Sequence, residues 1–113
     1  MTLPKDLIKQ IENADFTIDV ADNGIYFGKF SSAGQDFCFF IGAFETLRDF
    51  CDEIYDFYSN FDVSEETYLW LDESGHGKNG APWDMKDVYE DMKECKSFID
   101  ELYDIVNEYI NNH

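Results

Sequence analysis

The 113-residue chain is poor in cationic residues: eight Lys and Arg stand against 25 Asp and Glu, which gives a formal charge of −17 at pH 7. A small domain needs a net charge of only about 2 to 8 in magnitude to stay soluble. A larger excess of negative charge repels nucleic acids and anionic lipid headgroups. The composition therefore argues against direct binding to nucleic acid or to a membrane. A basic protein, a multivalent cation or the solvent alone remains to face the negative charge, and we predict a basic protein as the partner.

Long apolar runs are also lacking, and the three cysteines do not form a pairing motif. No run reaches the roughly 18 apolar residues that a membrane span requires. The amphipathic N-terminal segment has no hydrophobic signal region, so we expect a protein that is not exported. Cys38, Cys51 and Cys95 lie at positions that look apolar, and we interpret them as small buried side chains in a reducing cytosol.

Motifs for catalysis or metal binding are equally scarce. His76 and His113 are the only histidines, and no CxxC spacing is present, so a zinc site is not expected. The segment that starts at Asp72 resembles a calcium loop, but Trp83 stands where a bidentate Glu is needed. With 25 acids in the chain, a pair of carboxylates is no evidence of acid–base catalysis. We therefore expect a protein that is not an enzyme and that needs no metal or cofactor.

The length fits one acidic domain over residues 1–113, and aromatic residues, at 18% of the chain, supply material for a core. The spacing of apolar residues predicts an α+β fold. A short helix ending near Asn13 is followed by a three-stranded antiparallel meander at residues 15–20, 25–30 and 35–41. Asn23-Gly24 predicts a type I′ turn between the first two strands.

The second half of the sequence predicts two longer helices packed on the sheet. Apolar residues recur at helical spacing from Phe44 to about Asn60. Glu65 to Asp72 alternates weakly, and we favour a short fourth strand there over an extended connector. Residues 73–82 contain glycines typical of a loop. Asp84 is then predicted to cap a last helix of roughly 25 residues.

Negative charge is concentrated in residues 44–73, which contain ten acids and one base. Steps of three, four and seven residues return to one side of a helix, and this pattern selects Glu45, Asp49, Asp52, Glu53 and Asp56. At about 1.5 Å per residue the row spans roughly 16 Å, or one carboxylate per about 4 Å. Phosphates along one DNA strand are spaced by about 3.4 Å. We therefore predict that this row imitates a DNA backbone, and a merely solvated face is the alternative.

A second row of acids runs along the predicted last helix. Lys86, Lys93 and Lys96 neutralise part of this row, so a solvated face is as plausible here as a functional one. Its members are Asp87, Glu90, Asp91, Glu94, Glu101, Asp104 and Glu108.

Trp70, Trp83 and Tyr68 flank the glycine-rich segment and form a candidate aromatic patch. Aromatic anchors inside a polar rim are typical of protein interfaces. The other interpretation, which we favour over an interface, is that both tryptophan rings pack under the loop as core. The other acids that we predict at an interface are Glu65, Glu66, Asp72 and Glu73.

The segment DLIKQIENADFTIDV, residues 6–20, resembles the start of a small Listeria-prophage anti-CRISPR family that blocks a type II effector nuclease by mimicking DNA. The matching positions are Asp6, Leu7, Ile8, Ile11, Asn13, Asp15 and Thr17. The resemblance implies a short helix, a three-stranded antiparallel sheet and acidic helices, and it implies that Asp15 contacts the nuclease. Beyond Ile41 the chains do not align.

Three hypotheses follow. The first is a DNA-mimic inhibitor in the bacterial cytosol, anti-CRISPR or anti-restriction, that occupies the cationic channel in which such a nuclease holds nucleic acid. The second is a protein-interaction module, such as an immunity protein or an accessory regulator, that uses the Trp70 and Trp83 patch. The third is an acidic protein without a charge-dependent partner. The oligomeric state stays open.

Overall fold

The computed structural model describes residues 2–74 and 85–113, with side chains up to Leu71 in the first stretch. It has an α+β fold in which a short N-terminal helix precedes a three-stranded antiparallel sheet, and the other helices follow. The predicted order of helix, meander and later helices is confirmed. The elements are α1 Lys5–Asn13, β1 Thr17–Ala21, β2 Gly24–Phe30, β3 Asp36–Gly42, α2 Leu47–Asn60, α3 Val63–Ser74 and α4 Met85–Asn112.

Helix α1 begins directly after Pro4, whose carbonyl oxygen accepts the first helical hydrogen bond at 3.0 Å. Leu7 and Ile11, one turn apart, are fully buried, and the helix packs against α4 and β1. The helix ends at Asn13, as predicted. Asp15 then adopts a φ of 70°, and this left-handed conformation turns the chain into β1.

The β1–β2 hairpin is present, but its predicted turn type is wrong. Ala21 pairs with Gly24, so the two-residue loop is Asp22-Asn23. Neither loop residue has the positive φ that a type I′ turn requires. Gly24 instead serves close packing in the sheet, because a Cβ there would collide with the backbone oxygen of Ile41 on β3.

One face of the sheet carries the core. Ile25 and Phe27 of β2 and Phe39 and Ile41 of β3 point to this face and are almost fully buried. The Phe27 ring lies 5.9 Å from the ring of Phe50 on α2. Helices α2 and α3 both pack against α4, which places all the described helices on this side of the sheet.

The opposite face of the sheet is left uncovered by the described elements. Tyr26 and Phe40 are cross-strand partners there, with ring centroids 4.7 Å apart. Phe30 is 66% exposed at the end of β2. The fold is therefore two-layered, with an aromatic outer face.

The three cysteines do not share one environment. Cys51 and Cys95 are buried, as predicted, but Cys38 is exposed. Cys38 pairs with Gly28 on the outer face, because alternation along β3 turns Phe37, Phe39 and Ile41 inward. Its apolar neighbours in sequence therefore indicated burial wrongly.

Residues 65–72, predicted as a fourth strand, belong to helix α3. Asp62 caps the helix: its Oδ1 accepts hydrogen bonds from the N–H groups of Ser64 and Glu65 at 3.0 and 3.1 Å. Asp62 followed three residues later by Glu65 is a capping-box sequence, and this signal identifies the helix start. Thr67 is buried one turn after Val63, so the inward spacing is helical and not alternating.

Helix α4 has 28 residues, close to the predicted 25 or so, and extends over about 42 Å. The predicted cap, Asp84, lies outside the described residues. The apolar spacing from Met85 to Tyr109 predicts a buried stripe along this helix, and it is wrong only at Met85, which is 50% exposed. The buried members of the stripe include Val88, Met92, Cys95, Ile99, Leu102, Val106 and Tyr109.

A candidate acidic interface on α2

The capping residue Thr46 fixes where the acidic helix α2 begins. Thr46 has extended backbone angles, and its Oγ1 accepts a hydrogen bond from the N–H of Asp49 at 3.1 Å. The helix therefore starts at Leu47 and not at the predicted Phe44. As a consequence Glu45 precedes the helix, and the regular row of carboxylates starts at Asp49.

We call Asp49, Asp52, Glu53 and Asp56 the α2 acidic face. All four side chains are exposed, and at 100° per residue they lie within one arc of the helix. From the first to the last they span about 10 Å, shorter than the 16 Å predicted with Glu45 on the helix. Glu45 nevertheless joins them, because it lines a shallow depression together with Asp49, Asp52 and Glu53.

Among the described residues the charge of the α2 acidic face is not neutralised by any ion pair. The ion pairs in the described part of the chain join Lys29 to Glu101, Lys93 to Glu90 and His113 to Asp6, and none of them involves a residue of α2. The one base of residues 44–71, Arg48, reaches instead toward α4, where its Nη1 lies 3.5 Å from Oδ1 of Asn107. The face thus presents four carboxylates to solvent.

A second depression, which we call the edge groove, lies between β3 and α2 and has a volume of about 340 Å³. Phe40, Ile41 and Gly42 line its β3 side, while Phe57 and Phe61 form an apolar floor. Its acidic residues are Glu53, Asp56 and Glu66. The helical conformation of α3 thus brings one predicted site residue, Glu66, to the two carboxylates of α2.

Several acids of α4 serve the fold. Glu101 Oε1 lies 2.6 Å from Nζ of Lys29, a β2 residue whose ammonium also donates to the carbonyl oxygen of Ala14 at 2.9 Å. Glu94 accepts hydrogen bonds from the N–H and hydroxyl of Ser32 at 3.1 and 2.6 Å. These contacts attach α4 to the sheet, so the second acidic row is in part structural.

Asp91 does not lie on a solvated face at all. It is 5% exposed, and among the described residues its Oδ1 has no hydrogen-bond partner. Burial raises the pKa of this carboxyl, the approaching Ser31 hydroxyl lowers it, and nearby Glu94 raises it. The sequence pattern missed this because Asp91 lies beside the buried Met92 at the border of the apolar stripe.

The other predicted site residues do not form one cluster in the described part of the chain. Trp70 is half-buried against the core on α3, whereas Tyr68 and Leu69 are 61% and 44% exposed. Trp83 and the side chains of Asp72 and Glu73 lie outside the described part of the chain. Glu65 is exposed in the first turn of α3, and Asp15 is exposed between α1 and β1. The predicted Trp70–Trp83 patch is thus described only at Trp70.

Within residues 2–74 and 85–113, no group of three or more His, Cys, Asp and Glu side chains is placed to hold a metal ion. No helix in this part of the chain is long and apolar enough to cross a membrane. Comparisons of the chain with protein-family models, curated proteins and solved structures found no match. Function therefore has to be inferred from the geometry and charge of the site itself.

Proposed function

We propose that this chain is an acidic inhibitor that binds the cationic nucleic-acid channel of a bacterial defence nuclease and blocks it by occupancy, not by catalysis. The observation that carries the proposal is the α2 acidic face, whose four carboxylates are exposed and without ion pairs among the described residues. A target of this kind places the protein in the cytosol of a bacterial host.

The chemistry of recognition supports mimicry. Lys and Arg side chains that bind phosphate form equally good charge-assisted hydrogen bonds with carboxylates. A helix holds those carboxylates at fixed intervals, so little ordering is needed on binding. Like charges one turn apart cost an isolated helix about 0.2 to 0.5 kcal/mol per pair. A face that repels itself in the free protein gains most when a cationic surface neutralises it.

The test is to neutralise the α2 acidic face and to measure displacement of a fluorescent DNA duplex from an RNA-guided or restriction nuclease. We expect Asp49→Asn, Asp52→Asn, Glu53→Gln and Asp56→Asn together to weaken binding by about 1 to 4 kcal/mol, since exposed charge pairs contribute about 0.2 to 1 kcal/mol each. The measurement is a competition titration at fixed ionic strength.

The matched control changes the net charge equally at exposed positions on other elements, with the substitutions Glu12→Gln, Asp100→Asn, Asp104→Asn and Glu108→Gln. This variant should bind like the unmodified protein. Equal weakening by both variants would show that net charge, and not the α2 face, determines binding. No displacement by the unmodified protein at any ratio would remove that nuclease as a target.

A protein-interaction module acting through α3 is a second candidate function. The observation in its favour is the exposure of the large apolar side chains of Tyr68 and Leu69 on consecutive positions of α3. An immunity protein or accessory regulator of this kind would keep its affinity when the α2 acidic face is neutralised. The same pair of variants therefore separates the two candidates.

A further inference from the structure

The edge groove runs along an unpaired strand edge. In the sheet order β1-β2-β3, the outer edge of β3 has no strand partner among the described residues. The groove is lined by three consecutive β3 residues, Phe40, Ile41 and Gly42. Successive residues of a strand face opposite sides of a sheet, so a depression that touches all three lies along the edge. Such an edge presents free N–H and C=O groups to another extended chain.

The wall opposite this edge is apolar at the bottom and acidic at the rim. Phe57 packs 5.4 Å from the ring of Phe39, and Phe61 packs edge-on at 5.8 Å from Phe37, so core packing holds the floor in place. Glu53 and Asp56 stand one turn apart above this floor. The groove therefore combines a backbone template, an apolar floor and negative charge.

We infer that the edge groove binds an extended cationic segment of a partner protein. The segment adds to β3 as a strand, and a Lys or Arg side chain lies between Glu53 and Asp56 with its aliphatic stem on the aromatic floor. Strand addition supplies main-chain hydrogen bonds, while the pocket selects the side chain. Charge complementarity chooses this occupant, since an acidic segment or a nucleic acid would meet both the carboxylates and the net charge of −17.

The volume of the groove sets the size of the anchor. About 340 Å³ is near the lower end of the roughly 300 to 1,000 Å³ of small-molecule sites, which suits one or two side chains and not a folded element. The rest of the segment would lie along the seven residues of β3. This inference goes beyond channel mimicry, because it requires backbone pairing and an alternating sequence in the partner and needs no nuclease.

The experiment uses a synthetic peptide as long as β3, with alternating Lys and Val, and follows the amide signals of the isotope-labelled full chain by NMR. The control peptide has the same residues with every internal amide N-methylated, which keeps the charge and removes the donors for strand pairing. We expect the unmodified peptide to shift the signals of residues 36–42 and 53–61. It should also slow hydrogen exchange at outward-facing amides of β3, and the methylated peptide should bind at least tenfold more weakly.

Two double variants on the same helix test the anchor. Glu53→Gln with Asp56→Asn should lower the affinity for the unmodified peptide by about two- to thirtyfold, which is the range expected from the loss of two exposed ion pairs. Asp49→Asn with Asp52→Asn removes the same charge from α2 outside the groove lining and should weaken binding of the peptide less than the first double variant does, because neither side chain lines the groove. Thermal unfolding of both variants verifies that they fold.

Equal binding of the two peptides, equal weakening by the two double variants, or no shift at β3 would each overturn the inference. Because the peptide titration contains no nuclease, it can fail while DNA displacement by the protein persists. The converse result, strand addition without nuclease binding, would overturn the proposed function alone.

Discussion

The buried carboxyl of Asp91 illustrates, for a single residue, the cost of this acidic composition. A buried carboxylate loses its hydration, and without a full set of hydrogen bonds in the interior this loss is not compensated and destabilises the folded state. Its pKa in the folded protein is raised, chiefly by burial. The folded state then binds a proton that the unfolded chain has released, so the contribution of Asp91 to stability falls as pH rises from the unfolded value near 3.8 through the higher folded value.

Replacing this carboxyl should therefore stabilise the protein at neutral pH. We expect Asp91→Asn to raise the free energy of unfolding by about 1 kcal/mol at pH 7, with the gain vanishing below the unfolded pKa, where the carboxyl is protonated in both states. Urea unfolding of the variant and the unmodified chain across this pH range measures the difference. Asp100→Asn removes the same charge at an exposed position of the same helix, so an equal gain in that variant would show that net charge, and not burial, causes the effect.

Among the elements, α3 differs most from its prediction, and its N-cap explains why. The side chain of Asp62 accepts hydrogen bonds from two N–H groups of the first turn. The negative charges of Glu65 and Glu66 lie at the positive end of the helix dipole, which stabilises the helix start. The sequence contained this signal. The weak alternation of residues 65–72 obscured it, because exposed Tyr68 and Leu69 interrupt the apolar spacing.

Removing the cap should fray α3 and withdraw Glu66 from the edge groove. We expect Asp62→Ala to lower the free energy of unfolding by about 0.5 to 2 kcal/mol, while Asp62→Asn, which still accepts the hydrogen bonds, should change it by much less. Chemical unfolding with circular dichroism checks both variants. A similar loss in the Asn variant would show that the negative charge, and not the cap, stabilises the helix start.

For the whole molecule, the net charge of −17 acts on folding and on binding with opposite signs. Salt screens the repulsion among the acids and so favours the compact state, but it also screens the attraction to a cationic partner. Both effects grow as the Debye length falls from about 10 Å at 0.1 M to about 3 Å at 1 M salt.

Raising NaCl through this range should therefore increase the unfolding temperature and slow association with the nuclease. We expect the association rate constant to fall by about an order of magnitude or more, as for other electrostatically steered complexes. Stopped-flow association and thermal unfolding in the same salt series provide the two measurements. A rate that does not depend on salt would contradict steering by the acidic surface, whatever the unfolding temperature does.

What the sequence determined by itself is local. Apolar spacing defined α1, the three strands and the stripe of α4, and Thr46 and Asp62 already marked the starts of α2 and α3, because caps and periodic patterns depend on neighbours within a few residues. Tertiary structure decided which faces are covered. It exposed Cys38 while burying Asp91, turned Arg48 toward Asn107, and brought β3 and α2 together as the edge groove. These outcomes depend on packing between segments far apart in the chain, which no local pattern records.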